Sequence, residues 1–64
     1  MTSEFSKISL IIATYNEEDS LDFVLNEILD YNFFEIIIVD NNSEDKTVEI
    51  ANKYNTKVIT QENK

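Results

Sequence analysis

The 64-residue sequence contains no cysteine, histidine, tryptophan, glycine or proline. Without cysteine, no disulfide can stabilise the chain and no thiolate can bind a metal. Without histidine, the most frequent general base and transition-metal ligand is missing, which leaves oxygen-ligand ions such as Mg²⁺ or Mn²⁺. Because tight turns normally use glycine and proline, we expect asparagine and aspartate to form the turns here.

Positive charge is also scarce, with 5 lysine and arginine residues against 13 aspartate and glutamate residues and a net charge of −8 at pH 7. This balance disfavours a nucleic-acid backbone or an anionic membrane surface as a partner. Most of the acids are expected on solvated helix faces and in first helix turns. A hydrophobic content of 42% nevertheless supports a small core in a single domain.

Long apolar runs are absent as well. Residues 1–7 are polar and lack the two regions of a signal peptide, so we interpret them as an N-terminal tail. The apolar runs at residues 10–13 and 33–39 are much shorter than the about 20 residues that a membrane-spanning helix needs. We therefore expect a cytoplasmic chain in which residues 1–64 form one unit.

Three apolar segments predict buried strands. They are I-S-L-I-I-A at residues 8–13, E-I-I-I-V-D at residues 35–40 and the shorter K-V-I-T at residues 57–60. Apolar residues at consecutive positions are typical of parallel-sheet strands that are covered on both faces.

A helical period separates the first two strands. Its apolar stripe consists of Leu21, Val24, Leu25, Ile28 and Leu29. We expect Asn16 to be its N-cap, with the acids at residues 17–19 in the first turn, where negative charge is favourable. Residues 31–32 are expected to end it. Phe23 lies off the stripe, which predicts an exposed side chain that packs against another part of a larger protein.

A second, weaker helical period follows the second strand, with Val48, Ala51 and Tyr54 on one side. Ser43 or Asp45 is the expected cap, and Asn55 is the expected left-handed exit. The resulting order β-α-β-α-β predicts an α/β fold: a three-layer, Rossmann-like parallel sheet with right-handed crossovers.

Two polar segments follow the first two strands, T-Y-N-E-E at residues 14–18 and D-N-N-S-E-D at residues 40–45. Ligands of open parallel sheets bind beyond the carboxyl ends of the strands, so these segments predict a cleft. Carboxylates accept hydrogen bonds from a base or from ribose hydroxyls but do not suit a bare phosphate. The cleft is therefore better suited to a nucleoside. The missing glycine motifs argue against a dinucleotide site and a P-loop.

The same segments resemble motifs of the family 2 glycosyltransferases. A-T-Y-N-E-E at residues 13–18 resembles their P-x-Y-N-E motif, and I-I-V-D-N-N-S-E-D-K-T at residues 37–47 resembles V-D-D-G-S-x-D-x-T. V-I-T-Q-E-N-K at residues 58–64 is similar to the third strand and the following loop. Each motif alone is moderately specific, but the two in order, with a helix between them, are a strong indication.

The resemblance implies a GT-A fold, of which this chain is the first half, and glycosyl transfer from a UDP- or GDP-sugar. It implies Mg²⁺ or Mn²⁺ for the full-length family, and a parent protein that can be associated with a membrane. It implies that Thr14, Tyr15 and Glu17 line the base and ribose pocket. By the same resemblance Asp40 hydrogen-bonds the base, and Asn41 takes the place of a second acid near the ribose.

Two departures from the motifs bear on this site: Ala13 replaces the usual proline and Asn42 replaces glycine, where asparagine can still adopt a positive φ. The downstream Asp-x-Asp metal motif, a glycine-rich segment and the catalytic base have no counterpart in these 64 residues. We therefore assign no catalytic residue, metal ligand or cofactor within the chain, and expect the chain alone to be inactive.

Other interpretations remain open. The chain can be a non-catalytic α/β module that self-associates through an exposed edge at residues 8–13. A nucleotidyltransferase or receiver-like fragment is a weaker alternative, because T-Y-N-E does not fit a receiver. Glu17 and Glu18 can simply offset a helix dipole, and Ser43, Asp45 and Thr47 are more readily explained as turn and cap residues. At this size we expect a net stability of at most about 3–5 kcal/mol.

Overall fold

The computed structural model describes residues 5–62. Residues 1–4 of the predicted tail and the last two residues of the third motif segment lie outside this range. The elements in chain order are β1 (Ser9–Thr14), α1 (Leu21–Ile28), a 3₁₀ turn (Leu29–Tyr31), β2 (Glu35–Asp40), α2 (Thr47–Ala51) and β3 (Lys57–Thr60). The predicted β-α-β-α-β order is confirmed, with the first strand one residue further along than expected.

The three strands form one parallel sheet in the order β1-β2-β3. β1 pairs with β2 from Ser9 opposite Glu35 to Thr14 opposite Asp40. β2 therefore lies in the centre, and the carboxyl ends of β1 and β2 are direct neighbours. This arrangement confirms the predicted α/β fold class and places the two polar segments side by side.

The core lies between the sheet and both helices. Its buried members are Leu21, Leu25, Ile36, Ile38 and Ala51. Because successive strand residues point to opposite faces, Ile36 and Ile38 of β2 lie on one face of the sheet, and both helices pack there. The described residues thus supply the sheet and one helical layer of the predicted three-layer architecture.

The opposite face of the sheet is apolar and open within residues 5–62. Ile11 of β1 is 64% exposed and Ile59 of β3 is 46% exposed, while Ile37 and Val39 of β2 are half-buried. The strand register places Ile11 beside Ile37 and Val39 beside Ile59. The prediction that the apolar strands are covered on both faces therefore does not hold within residues 5–62, where one face of the sheet is open.

The prediction that Asn16 caps α1 is wrong. The helix begins at Leu21 with Ser20 as its N-cap residue, so residues 17–19 precede the first turn. The Glu17 carbonyl accepts the amides of Ser20 and Leu21 at 3.1 and 2.9 Å, which closes a turn before the helix. Asn16 itself has φ 50, whereas a capping residue normally has an extended backbone. The acid of the first turn is Asp22.

The predicted end of α1 is confirmed, and the predicted end of α2 is not. A 3₁₀ turn ends α1 and leads to Asn32, which has φ 56, as expected for an exit at residues 31–32. Asn55 does not have a positive φ, so its predicted role as a left-handed exit is wrong. α2 ends at Ala51, and the Thr56 hydroxyl donates to the Ala51 carbonyl at 2.9 Å, which closes the exit without a left-handed residue.

Aromatic side chains close the other end of the sheet. The rings of Phe5, Tyr31 and Phe33 lie 5.1 to 6.2 Å apart between centroids, so Phe5 of the predicted tail packs against the chain. Phe23 is strongly exposed, as its position off the helical stripe predicted. Within residues 5–62, neither helix is long enough to cross a membrane.

Candidate functional site

A polar cleft opens beyond the carboxyl ends of β1 and β2. It lies between the segment after β1, residues 15–20, named loop 1, and the segment after β2, residues 41–46, named loop 2. The cleft has a volume of about 470 Å³ and is lined by Tyr15, Asn41, Asn42 and Glu44. Its volume lies within the about 300–1,000 Å³ that is typical of small-molecule sites.

Asp40 lies below this cleft, at the end of β2, and is 0% exposed. Its Oδ1 accepts the Thr14 hydroxyl at 2.7 Å and the Ser43 hydroxyl at 2.6 Å. Its Oδ2 accepts the Ser43 amide at 2.8 Å. A buried carboxylate is stable only when such partners replace its water, and here both oxygens have them.

The same contacts decide the ionisation of Asp40. Burial raises the pKa of its carboxyl group, and the charge of Asp45 acts in the same direction. The hydrogen bonds from Ser43 and Thr14 lower the pKa by more, so the net pKa lies below the ordinary value of 3.8. Asp40 is therefore an anion at neutral pH.

Loop 1 and loop 2 are joined by reciprocal hydrogen bonds. The Asn16 amide donates to the Ser43 hydroxyl at 2.8 Å, and the Glu44 amide donates back to Asn16 Oδ1 at 2.8 Å. The Glu17 amide donates to the Thr47 hydroxyl at 2.7 Å. These bonds satisfy backbone amides that neither helix includes, so the two loops fold as one unit.

A second exchange lies next to the first. The Glu18 amide donates to Asp45 Oδ2 at 3.1 Å, and the Lys46 amide donates to Glu18 Oε1 at 3.1 Å. Asp45 Oδ1 also accepts the Thr47 amide at 2.9 Å and the Thr47 hydroxyl. Burial raises the pKa of the Asp45 carboxyl group. The hydrogen bonds from Thr47 and Glu18 lower this pKa by more than burial raises it, so the net pKa lies below the ordinary value of 3.8. The prediction that Ser43 or Asp45 is the N-cap of α2 is wrong, because the N-cap residue is Lys46; Asp45 lies one residue earlier and accepts the first amide of the helix, that of Thr47.

Two asparagines bend the loops in the absence of glycine. Asn16 in loop 1 has φ 50, and Asn42 in loop 2 has φ 60. Asparagine tolerates this left-handed region better than other residues with a Cβ atom. The Asn16 side chain is bonded to loop 2, whereas Asn42 is one of the residues that line the cleft.

The structure places the five predicted site residues in three different situations. Tyr15 and Asn41 line the cleft, and Asn41 is held there by its amide, which donates to the Thr14 carbonyl at 2.9 Å. Thr14 and Asp40 are buried beneath it, and Glu17 is absent from the lining. The roles assigned to these five residues stay predictions.

Two lining residues, Asn42 and Glu44, were not among the predicted site residues. Both belong to the polar segment after β2 that indicated the cleft. The structural role of Ser43, which joins the loops, was also missed, because a serine in a turn gives no sign of its partners in another loop.

The described residues do not fit a divalent metal. Within residues 5–62, no three acidic side chains converge on one point. The Asp40 and Asp45 oxygens already accept amide and hydroxyl groups of the protein. Glu44 is the one carboxylate in the lining of the cleft, whereas Mg²⁺ or Mn²⁺ needs several oxygen ligands.

Fold and site together define an α/β protein with a polar cleft at the ends of adjacent parallel strands. Residues 9–64 match the model of glycosyl transferase family 2, and the chain belongs to that family. Membership confirms the resemblance of the two motifs and replaces the receiver-like and nucleotidyltransferase alternatives.

Several curated proteins are similar to the chain. Glycosyltransferase AglE of Haloferax volcanii is 37% identical over 60 residues, which cover 88% of this chain and 20% of that protein. Dolichol-phosphate mannosyltransferase of Pyrococcus furiosus is 40% identical over 60 residues, or 83% of this chain and 17% of that protein. Poly(ribitol-phosphate) beta-N-acetylglucosaminyltransferase TarS of Staphylococcus aureus is 38% identical over 56 residues, or 81% of this chain and 10% of that protein.

The chain therefore spans only a fifth or less of the length of these relatives. No solved structure gives a significant match. That residues 1–64 are a truncated domain stays a prediction.

Proposed function

We propose that this chain binds the nucleoside part of a nucleotide-sugar donor, a UDP- or GDP-sugar, within a family 2 glycosyltransferase. The observation that carries the proposal is the cleft between loop 1 and loop 2, at the strand ends where parallel sheets bind ligands. The two loops also carry both motifs of the family to which the chain belongs.

The lining of the cleft suits a nucleoside. The ring of Tyr15 is exposed and offers an apolar face for stacking on a base. The Asn41 side chain contains both a donor and an acceptor, and its Nδ2 points towards the Thr14 carbonyl at 3.5 Å. Its Oδ1 is then the group that accepts a base N–H, while Glu44 accepts a ribose hydroxyl.

The lining also disfavours a phosphate as the main ligand. Glu44 carries a negative charge, and the chain as a whole has a net charge of −8 at pH 7. Diphosphate binding normally needs cations, and the described residues do not fit a divalent metal. We propose that the diphosphate extends away from these loops, and that Mg²⁺ or Mn²⁺ changes the affinity of this chain for a nucleotide little.

We further propose that the 64 residues alone do not transfer a sugar. Histidine is absent from the chain, and Asp40 is buried and hydrogen-bonded inside the protein. Glu44 is the acid in the cleft lining, and we propose that it is used for the ribose of the donor. These residues therefore do not supply a general base for an acceptor hydroxyl. The relatives are named for different sugars and acceptors, so they indicate glycosyl transfer without selecting an acceptor.

Isothermal titration of the folded chain with UDP and with GDP, each with and without Mn²⁺, tests the proposal. We expect weak binding that Asn41→Ala reduces about tenfold, the effect of about 1.4 kcal/mol for one hydrogen bond. Asn26→Ala is the matched control, because Asn26 is exposed on α1 outside the cleft lining, and it should bind like the unmodified chain. An absence of binding to a folded sample, or equal losses in both variants, would contradict the proposal.

A second candidate function is self-association as a non-catalytic module. The observation in its favour is the open face and edge of β1, where Ile11 is 64% exposed. In this case the molecular mass measured by sedimentation equilibrium rises with concentration, and Ile11→Lys returns the chain to a monomer. Phe23→Lys is the control, since Phe23 is equally exposed but lies on α1. A monomer mass at all concentrations would exclude this candidate.

A further inference from the structure

We infer that Asp40 is a positioning residue: its buried carboxylate fixes loop 2 against loop 1 through Ser43 and so sets the two walls of the cleft, without touching the ligand. The inference rests on the proposed function for the identity of the ligand, but its geometry is independent of any ligand. It assigns Asp40 a role different from the contact with a base that the family resemblance implies.

Asp40 is not accessible to a ligand in the cleft. Asp40 is 0% exposed, and it is absent from the lining of the cleft. Its two oxygens already accept three hydrogen bonds, two from Ser43 and one from Thr14. A base N–H would have to displace one of these donors from a buried anion, which is costly because the displaced donor and the carboxylate both lose a partner.

Asp40 orients the hydroxyl group of Ser43. This group donates to Asp40 Oδ1 at 2.6 Å and accepts the Asn16 amide at 2.8 Å. A hydroxyl has one hydrogen, so the carboxylate draws it and leaves a lone pair for Asn16. We call the chain of bonds through Asp40, Ser43 and Asn16 the Asp40 relay. The Glu44 amide, which donates to Asn16 Oδ1 at 2.8 Å, returns the connection to loop 2.

Two of the residues that line the cleft are sequence neighbours of the Asp40 relay. Tyr15 immediately precedes Asn16, and Asn41 immediately follows Asp40, so each of these lining residues is next in sequence to a member of the relay. Breaking a bond of the relay should therefore make loop 1 and loop 2, which form the two walls of the cleft, more mobile together. The hydrophobic core is separate from the relay. Leu25 of α1 and Ile38 of β2 belong to the core cluster between the helices and the sheet, and neither takes part in a bond of the relay.

Two substitutions break the relay in different places. Asp40→Asn keeps the size of the side chain but replaces one acceptor oxygen by a donor, so at least one of the three bonds is lost. Ser43→Ala removes the hydroxyl that joins the two loops. Ile38→Val serves as the control, because it weakens the core without changing any bond of the relay.

Amide hydrogen exchange measured by NMR on the ligand-free chain is the first readout. We expect the Asn16 amide to exchange about ten times faster in Asp40→Asn and in Ser43→Ala, because it opens locally. Ile38→Val should accelerate the protected strand amides and leave Asn16 unchanged. Unchanged exchange at Asn16 in Asp40→Asn would overturn the inference, whether or not the chain binds a nucleotide.

Affinity for UDP is the second readout and separates positioning from contact. If Asp40 acts through Ser43, then Asp40→Asn and Ser43→Ala each weaken binding by a similar factor, about tenfold, and the double variant weakens it no further. A direct contact between Asp40 and the nucleotide predicts multiplied losses, about a hundredfold in the double variant. If the unmodified chain does not bind UDP, the proposed function fails while the exchange experiment still decides the role of Asp40.

Discussion

The Thr14 hydroxyl donates to Asp40 Oδ1 at 2.7 Å, and these two residues are register partners at the ends of β1 and β2. This side-chain bond links the two strands at their last register pair, directly before loop 1 and loop 2 begin. Just beyond it, the Asn41 amide donates to the Thr14 carbonyl at 2.9 Å and continues the pairing into the cleft. Formation of the sheet and formation of the cleft consequently depend on the same few residues.

Replacing Thr14 by valine tests this dependence. Thr14→Val keeps the shape of the side chain but removes a buried donor, so we expect a loss of about 1–3 kcal/mol in the free energy of unfolding. Thr60→Val on β3 is the matched control, because Thr60 is exposed, and it should change the stability by less than about 0.5 kcal/mol. Urea unfolding of the two variants gives the comparison, and equal stabilities would contradict the role of the Thr14 hydroxyl.

The lowered pKa values of Asp40 and Asp45 predict the direction of the pH dependence. A carboxyl group with a pKa below its unfolded value stabilises the fold at pH values above that unfolded value, and the contribution disappears as the pH falls through the folded pKa. Urea midpoints should therefore change little between pH 7 and about pH 5 and fall below about pH 4.

Asp40→Asn provides the control for this profile, because it removes one of the two titrating groups. Acid also reduces the self-repulsion of a chain with net charge −8, an effect that both proteins share. The decrease at low pH should therefore be smaller in Asp40→Asn than in the unmodified chain. A steeper decrease in the variant would show that the pKa of Asp40 is raised rather than lowered.

The left-handed asparagines give a pair of opposite predictions. Glycine adopts a positive φ without strain, so Asn42→Gly should leave the stability unchanged or raise it by up to about 1 kcal/mol. Asn16→Gly gains the same relief but removes the acceptor of the Glu44 amide, which costs about 1–3 kcal/mol, so we expect a net loss of about 1 kcal/mol. Thermal unfolding followed by circular dichroism measures both, and a loss in Asn42→Gly as large as that in Asn16→Gly would contradict the distinction.

The fold was largely predictable from the sequence, because it depends on apolar patterns. The strands at Glu35–Asp40 and Lys57–Thr60 agree with the apolar segments, and the stripe that includes Leu25 identified α1. The helix starts were less predictable. Asn16 is a good capping residue by type, but its side chain bonds to Glu44 in the other loop, and this long-range contact has no local signal.

The cleft itself was predictable, and the orientation of its residues was not. Polar segments after two adjacent parallel strands were sufficient to place the cleft. Whether a polar residue faces the cleft or lies beneath it depends on alternation at the strand end. Asp40 falls on the same face as the buried Ile38, and Asn41 follows on the next position, so only Asn41 reaches the lining.

Titration of the ¹⁵N-labelled chain with UDP, followed by two-dimensional NMR, shows directly whether the cleft binds a nucleoside. We expect concentration-dependent shifts of the amides of the cleft-lining residues and unchanged amides in the aromatic cluster around Phe33; the lining residues are Tyr15, Asn41, Asn42 and Glu44. Shifts confined to other surfaces, or no shifts in a spectrum that shows a folded protein, would contradict the claim that this cleft binds a nucleoside.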